Sequence, residues 1–161
     1  MKEQIESWNI PELSAKFANI KNYDDFFSVF RELAPYSSEA LAEALFEISI
    51  NQTGNVADAM AGCLLIAIEP SMNYSCNELL IKISQSRWNV SNREVPFYLV
   101  SQFGKIHLNS VLIEMLSDSS FSESERIYID SVSYWVSSPA AKLVEPLHYF
   151  EWQEVIEREN T

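Results

Sequence analysis

Glycine is nearly missing from this chain, with three in 161 residues. A loop that wraps phosphate in backbone amides needs several glycines close together, and no GxGxxG, GxxxxGK[ST] or GxSxG stretch occurs. Histidine is limited to His107 and His148 and cysteine to Cys63 and Cys76. Neither HExxH nor CxxC spacing is present, so no metal site, no cofactor and no catalytic histidine is expected. The cysteines lack the nearby His or Lys that would activate a thiolate and are expected as small buried hydrophobes. Acidic helices always offer pairs of carboxylates, so spacing alone identifies no acid–base pair, and the chain is not read as an enzyme.

Basic residues are scarce as well. Lys and Arg total 11 against 23 Asp and Glu, a net charge of -12. Such a surface is not built to neutralise phosphates, so no direct nucleic-acid partner is expected; the natural complement is a basic macromolecule, and the plainer alternative is that charge keeps the protein in solution. No apolar leader opens the chain, which with two cysteines leads us to expect the cytoplasm. The sequons at Asn51, Asn73 and Asn89 then carry no weight. The longest apolar run, AMAGCLLIAI, is about half of the roughly 20 residues that span a bilayer and ends at Glu69-Pro70, so it reads as a buried core helix and no membrane partner is expected.

What is present is apolar residues, 47% of the chain, repeating with a helical period nearly throughout. The pattern predicts an all-α protein of one domain. A helix over 12–21 presents Leu13, Phe17 and Ile20; one from Asp24 to Leu33 presents Phe26, Phe30 and Leu33 and stops at Ala34-Pro35. Ser37 or Ser38 caps EALAEALFEISI, with Leu41, Ala44, Leu45 and Ile48 on one face and Glu39, Glu43 and Glu47 on the other. Gly54 marks a turn into a helix from Val56 to Ile68. CNELLIKIS turns Cys76, Leu79, Leu80 and Ile83 inward; IHLNSVLIEMLS carries Leu108, Val111, Leu112, Met115 and Leu116 as a stripe. Ser122 and Glu125 form a capping box for a helix to Val136. PAAKLVEP and a final helix LHYFEWQEVIERE follow.

Pro96 stands inside NREVPFYLVSQFG, which otherwise scans as helix. With Asn92 as N-cap the helix starts at Arg93, and Pro96 is its fourth residue, within the turn where a missing N–H is expected to cost no intrahelical bond. Val95, Leu99 and Phe103 would face the core, and Gly104 would close the helix in a left-handed cap.

Paired helices with REVPFYLVSQFGKI as the second member resemble a divergent HEAT repeat, with Phe103-Gly104-Lys105-Ile106 at the place where that repeat carries Leu-Gly-x-Ile. The resemblance covers 75–136 and, by period only, 37–69. It implies a HEAT-like α-α superhelix with an N-terminal cap over 1–35, helix pairs over 37–69, 75–104 and 106–137, and a C-terminal cap over 139–161. Small acidic helical chains with REVPFYLVSQFG, an aromatic Tyr134-Trp135 and a terminal HYFEW are also similar to the immunity proteins of bacterial contact-dependent growth inhibition. That resemblance implies a cytoplasmic antidote that binds a basic toxin domain, often a nuclease, and blocks its cleft without catalysis. An adaptor or scaffold with no toxin partner is the alternative.

Arg93 and Glu94 fit an architectural role, Glu94 complementing the helix dipole and Arg93 pairing with an acid of a neighbouring repeat. Partner contact is expected where acids stand beside aromatics, since aromatic anchors concentrate interface energy and charges steer. Two stretches qualify: Glu123, Asp130 and Tyr134, and then Tyr149, Glu151, Trp152, Glu154 and Glu157. A plainer role for the second is to cap the solenoid with Phe150 and Trp152.

Overall fold

Side-chain caps decide where many of the helices begin. The computed structural model of the chain describes residues 7–138, and in it the Asn9, Asn22, Ser38, Ser75 and Ser122 side chains each accept from a backbone N–H of the first turn that has no helical partner. The helices so started are α1 (Ile10–Ala18), α2 (Tyr23–Leu33), α3 (Glu39–Ser49), α5 (Cys76–Ser84) and α8 (Glu123–Ser137). Ser75 with Glu78 and Ser122 with Glu125 are full capping boxes, as expected for the second pair. Three more helices, α4 (Ala57–Ile68), α6 (Glu94–Phe103) and α7 (Lys105–Leu116), start without a side chain of their N-cap residue bound. At α4 the neighbouring Asn55 Oδ1 accepts from Ala57 N–H at 2.9 Å. Among the described residues there is no strand, and the all-α reading holds; one isolated parallel bridge joins Asn51 to Arg87.

Several boundaries differ from the periodic reading. α1 starts and ends earlier than 12–21, because Asn9 caps it and Pro11 sits in its first turn, while Ile20 is buried from beyond its end. In α2 Val29 is buried beside Phe26 and Leu33, and Phe30 is only half-buried. Phe103 is likewise half-buried rather than central.

The helix with Pro96 starts one residue later than expected. Arg93 is the N-cap, Pro96 is the third helical residue, and the first intrahelical bond runs from Phe97 N–H to the Arg93 carbonyl at 3.1 Å. A helix begun at Arg93 would need residue 96 to donate to the Asn92 carbonyl, and proline has no proton to give. That carbonyl accepts instead from the buried Trp88 indole N–H at 3.1 Å. At the other end Gly104 is C-cap of α6 and N-cap of α7 together, with φ 78 and ψ 151. This is the extended positive-φ region that glycine alone adopts freely, not the compact left-handed cap expected.

The core runs through the helices in a connected order. α4 is covered on most sides by α3, α1, α2 and α6, so Met60, Ala61, Cys63, Leu64 and Leu65 are all buried, and AMAGCLLIAI is the core helix it reads as. α6 continues from α4 to α8, and α7 packs beside α8. The pairing of α5 with α6 implied by a unit over 75–104 is not a principal contact; α5 packs mainly on α8. The connecting segment explains this, because buried Trp88 lies against Tyr128 of α8 (ring centroids 6.1 Å apart) and the Val90 carbonyl accepts from the Trp135 indole at 2.8 Å.

Candidate functional site

α8 is fixed from three sides before its outer face is considered. Ile129, Val132 and Val136 are buried, the capping box closes its first turn, and the Arg126 guanidinium donates to the carbonyls of Leu116, Asp118 and Phe121. Among the residues left facing outward, Glu123, Ile127, Asp130 and Tyr134 are spaced by four, three and four along the helix and so lie on one stripe. All are exposed, Ile127 at 58% and Tyr134 at 70%. The Tyr134 ring meets Trp135 edge-on, centroids 5.2 Å apart. On the adjacent α7, Ile106 and Ile113 are 89% and 67% exposed. The structure therefore brings Glu123, Asp130 and Tyr134 onto one face. The exposed Ile127 on that face, and Ile106 and Ile113 on α7, each fall off the inward stripe of their own helix. Tyr149, Glu151, Trp152, Glu154 and Glu157 lie outside the described residues, as does His148.

Glu39, Glu43 and Glu47 are exposed along α3, as the period requires. Glu39 holds the loop before α5, accepting from the Asn73 backbone and side-chain N–H groups at 3.2 and 3.1 Å.

A second site forms where the N-terminal ends of α4 and α6 meet. A cavity of about 500 Å³ is walled there by Asp58, Asn92, Arg93, Glu94 and Trp135, with Asn55, Asn89 and Ser91 among its other polar groups. Asp58 is 5% exposed, Asn92 6% and Glu94 9%. Arg93 does not pair with an acid as expected: among the described residues the one ion pair is Lys16 with Glu32. Burial raises the Asp58 carboxyl above its usual range, opposed by the amides of Ala59 and its own residue. Burial also raises Glu94; its own amide and the Arg93 charge oppose the shift, and the Asp58 charge adds to it. The Asn92 Nδ2 donates to the Asp58 carbonyl at 3.2 Å, while its buried Oδ1 receives no hydrogen bond.

Gly62 makes this arrangement possible. A Cβ there would stand 3.0 Å from Glu94 Cβ and 3.1 Å from Asn92 Oδ1. A glycine inside an apolar helix costs about 1 kcal/mol relative to alanine, so its presence signals a close approach that sequence reasoning did not use.

His107 is exposed and lies beside the Phe103 ring, and among the described residues no group of three His, Cys, Asp or Glu could hold a metal ion. Both cysteines are free and buried as expected; burial pushes the Cys76 thiol up to about 11 and, with the Glu94 charge, pushes Cys63 well above its usual range. No helix among the described residues is long and apolar enough to cross a membrane. Comparison with protein-family models, curated proteins and solved structures found no match.

Proposed function

We propose that this chain is an immunity protein that binds a basic toxin domain, with a nuclease as the leading class, and neutralises it in the cytoplasm by covering its cleft. The observation that carries the reading is the outer face of α8, where two carboxylates, an isoleucine and a tyrosine share one stripe on a capped, well-packed helix in a chain of net charge -12. Apolar and aromatic groups in the middle of such a face exclude water and hold the partner, and the acids around them steer it. On a nucleic-acid enzyme these carboxylates would stand where phosphates otherwise bind. In this reading the α3–α4 and α7–α8 packings and the α4–α6–α8 row form a divergent HEAT-like superhelix, with α5 displaced onto α8.

Co-expression with the toxin domain encoded beside the gene tests it. Cells that also make this chain are expected to grow, and purified toxin to bind it in a complex that excludes its nucleic-acid substrate. Continued cell death in the presence of folded protein sinks toxin neutralisation and turns attention to an adaptor that links host proteins.

A further inference from the structure

We propose that the outer face of α7, where Ile106 and Ile113 stand exposed, is the docking site of this chain's own residues 139–161, which cover it with Tyr149, Trp152, Val155 and Ile156. Those residues lie outside the described ones. The first ground is that α7 is apolar on both sides. Leu108, Leu112 and Met115 are buried, and Ile106, Ser110, Ile113 and Ser117 form a second stripe that is exposed throughout and carries no charge. A solvated face of this protein looks different: α3 turns Glu39, Glu43 and Glu47 to water. A helix that is apolar on all sides is ordinarily covered on all sides.

The second ground is the sequence that follows α8. Taken at helical spacing from Leu147, Tyr149, Trp152, Val155 and Ile156 share one arc, and Glu151, Glu154, Glu157 and Arg158 share the opposite one; Leu147 and Phe150 fall outside the apolar arc. Tyr149 and Ile156 are seven residues apart, as are Ile106 and Ile113, so the two stripes match over two turns. Reach is the third ground. The connection over 117–122 returns the chain alongside α7, with Arg126 near the start of α8 bound to the Leu116 carbonyl at the end of α7. The chain therefore leaves α8 at Ser138 toward the end of α7 that holds Ile106. Residues 139–146 extend up to about 26 Å, against about 20 Å for two helix-to-helix steps. A second copy of the chain is the poorer occupant, because two molecules of net charge -12 repel each other. A basic partner fits less well too, since the α7 stripe has no acid to steer it. The contact is independent of what the α8 stripe binds.

Nuclear Overhauser spectroscopy on the full chain, with the isoleucine methyl groups labelled, tests it. Cross-peaks are expected between the Ile106 or Ile113 methyls and the rings of Tyr149 or Trp152. In a mixture of labelled and unlabelled chains, filtered to pass only contacts between molecules, those cross-peaks are expected to vanish. A second measurement is amide hydrogen exchange in a chain with Ile106→Glu and Ile113→Glu together, both of which stand outside the core. Amides of 149–156 are expected to exchange at least about tenfold faster than in the parent chain, with those of α4 unchanged. Three results would overturn the proposal: no cross-peak from residues 139–161 to α7, cross-peaks that survive the filter and so report a second copy, or unchanged exchange in the folded variant. If the variant does not fold, the cross-peaks of the unaltered chain still decide.

Discussion

Gly62 shows how much one hydrogen atom in place of a methyl group can matter. Helix propensity alone says that Gly62→Ala should stabilise α4 by about 1 kcal/mol. The new Cβ, however, would press on Glu94 Cβ and Asn92 Oδ1, neither at the end of a long flexible side chain, and overpacking of this kind costs about 1–3 kcal/mol. We expect a net loss of stability, read as a lower urea midpoint with an unchanged slope. A midpoint equal to or above that of the parent chain would show that α6 yields freely at this place. Glu94 makes a second residue-scale prediction. Its folded-state pKa is raised above the ordinary 4.5, so between the two values the folded chain holds more protons than the unfolded one. The stability linked to it is fully present below about 4.5 and is lost as pH rises through the raised value. Glu94→Gln is therefore expected to raise the melting temperature at pH 7 and to change it little at pH 4. The same change at both pH values would exclude charge burial as the cause.

At the scale of an element, α6 depends on a donor supplied from outside it. Pro96 cannot serve the Asn92 carbonyl, and the Trp88 indole does so from the preceding segment. Trp88→Phe keeps the ring and removes the N–H, leaving a buried carbonyl without a partner, and is expected to cost about 1–3 kcal/mol in denaturant unfolding. Adding Pro96→Ala should recover part of that loss, because an alanine N–H can donate to the same carbonyl. If the double variant is no more stable than Trp88→Phe, the bond is not what the indole contributes. The same segment turns α5 onto α8 through the contact of Trp88 with Tyr128 and the bond from Trp135 to Val90. A loop of tight antiparallel type would have laid α5 against α6 instead.

For the whole molecule, charge sets the expected behaviour toward a partner. With net charge -12, encounter with a basic domain should be fast at low salt and slow as ions screen the field beyond about 8–10 Å. If the proposed toxin partner is right, reversing Glu123 and Asp130 together to lysine is expected to lower its association rate by about tenfold at low ionic strength, with the two proteins converging at high salt. Ile127 and Tyr134 belong to the same stripe but carry no charge, so truncating them should act on dissociation and leave the salt dependence intact. An association rate unaffected by the charge reversal would move the docking face away from α8.

Local periodicity in the sequence determined a good part of this architecture. The helices, the inward residues Leu13, Phe17, Leu41, Leu45, Leu79, Leu108 and Leu112, the capping box at Ser122 and the outward placement of Glu123, Asp130 and Tyr134 are all legible there, because each depends on residues three or four apart. Tertiary structure alone decided that α5 lies on α8, that Trp88 serves the carbonyl Pro96 cannot, and that Asp58, Asn92 and Glu94 meet over Gly62. Glu94 reads in the sequence as an ordinary first-turn acid, stabilised by the dipole of its own helix, and Asp58 holds the same place in α4. Their burial comes from a neighbour 30 or more residues away in the chain, and no spacing within a single helix encodes it.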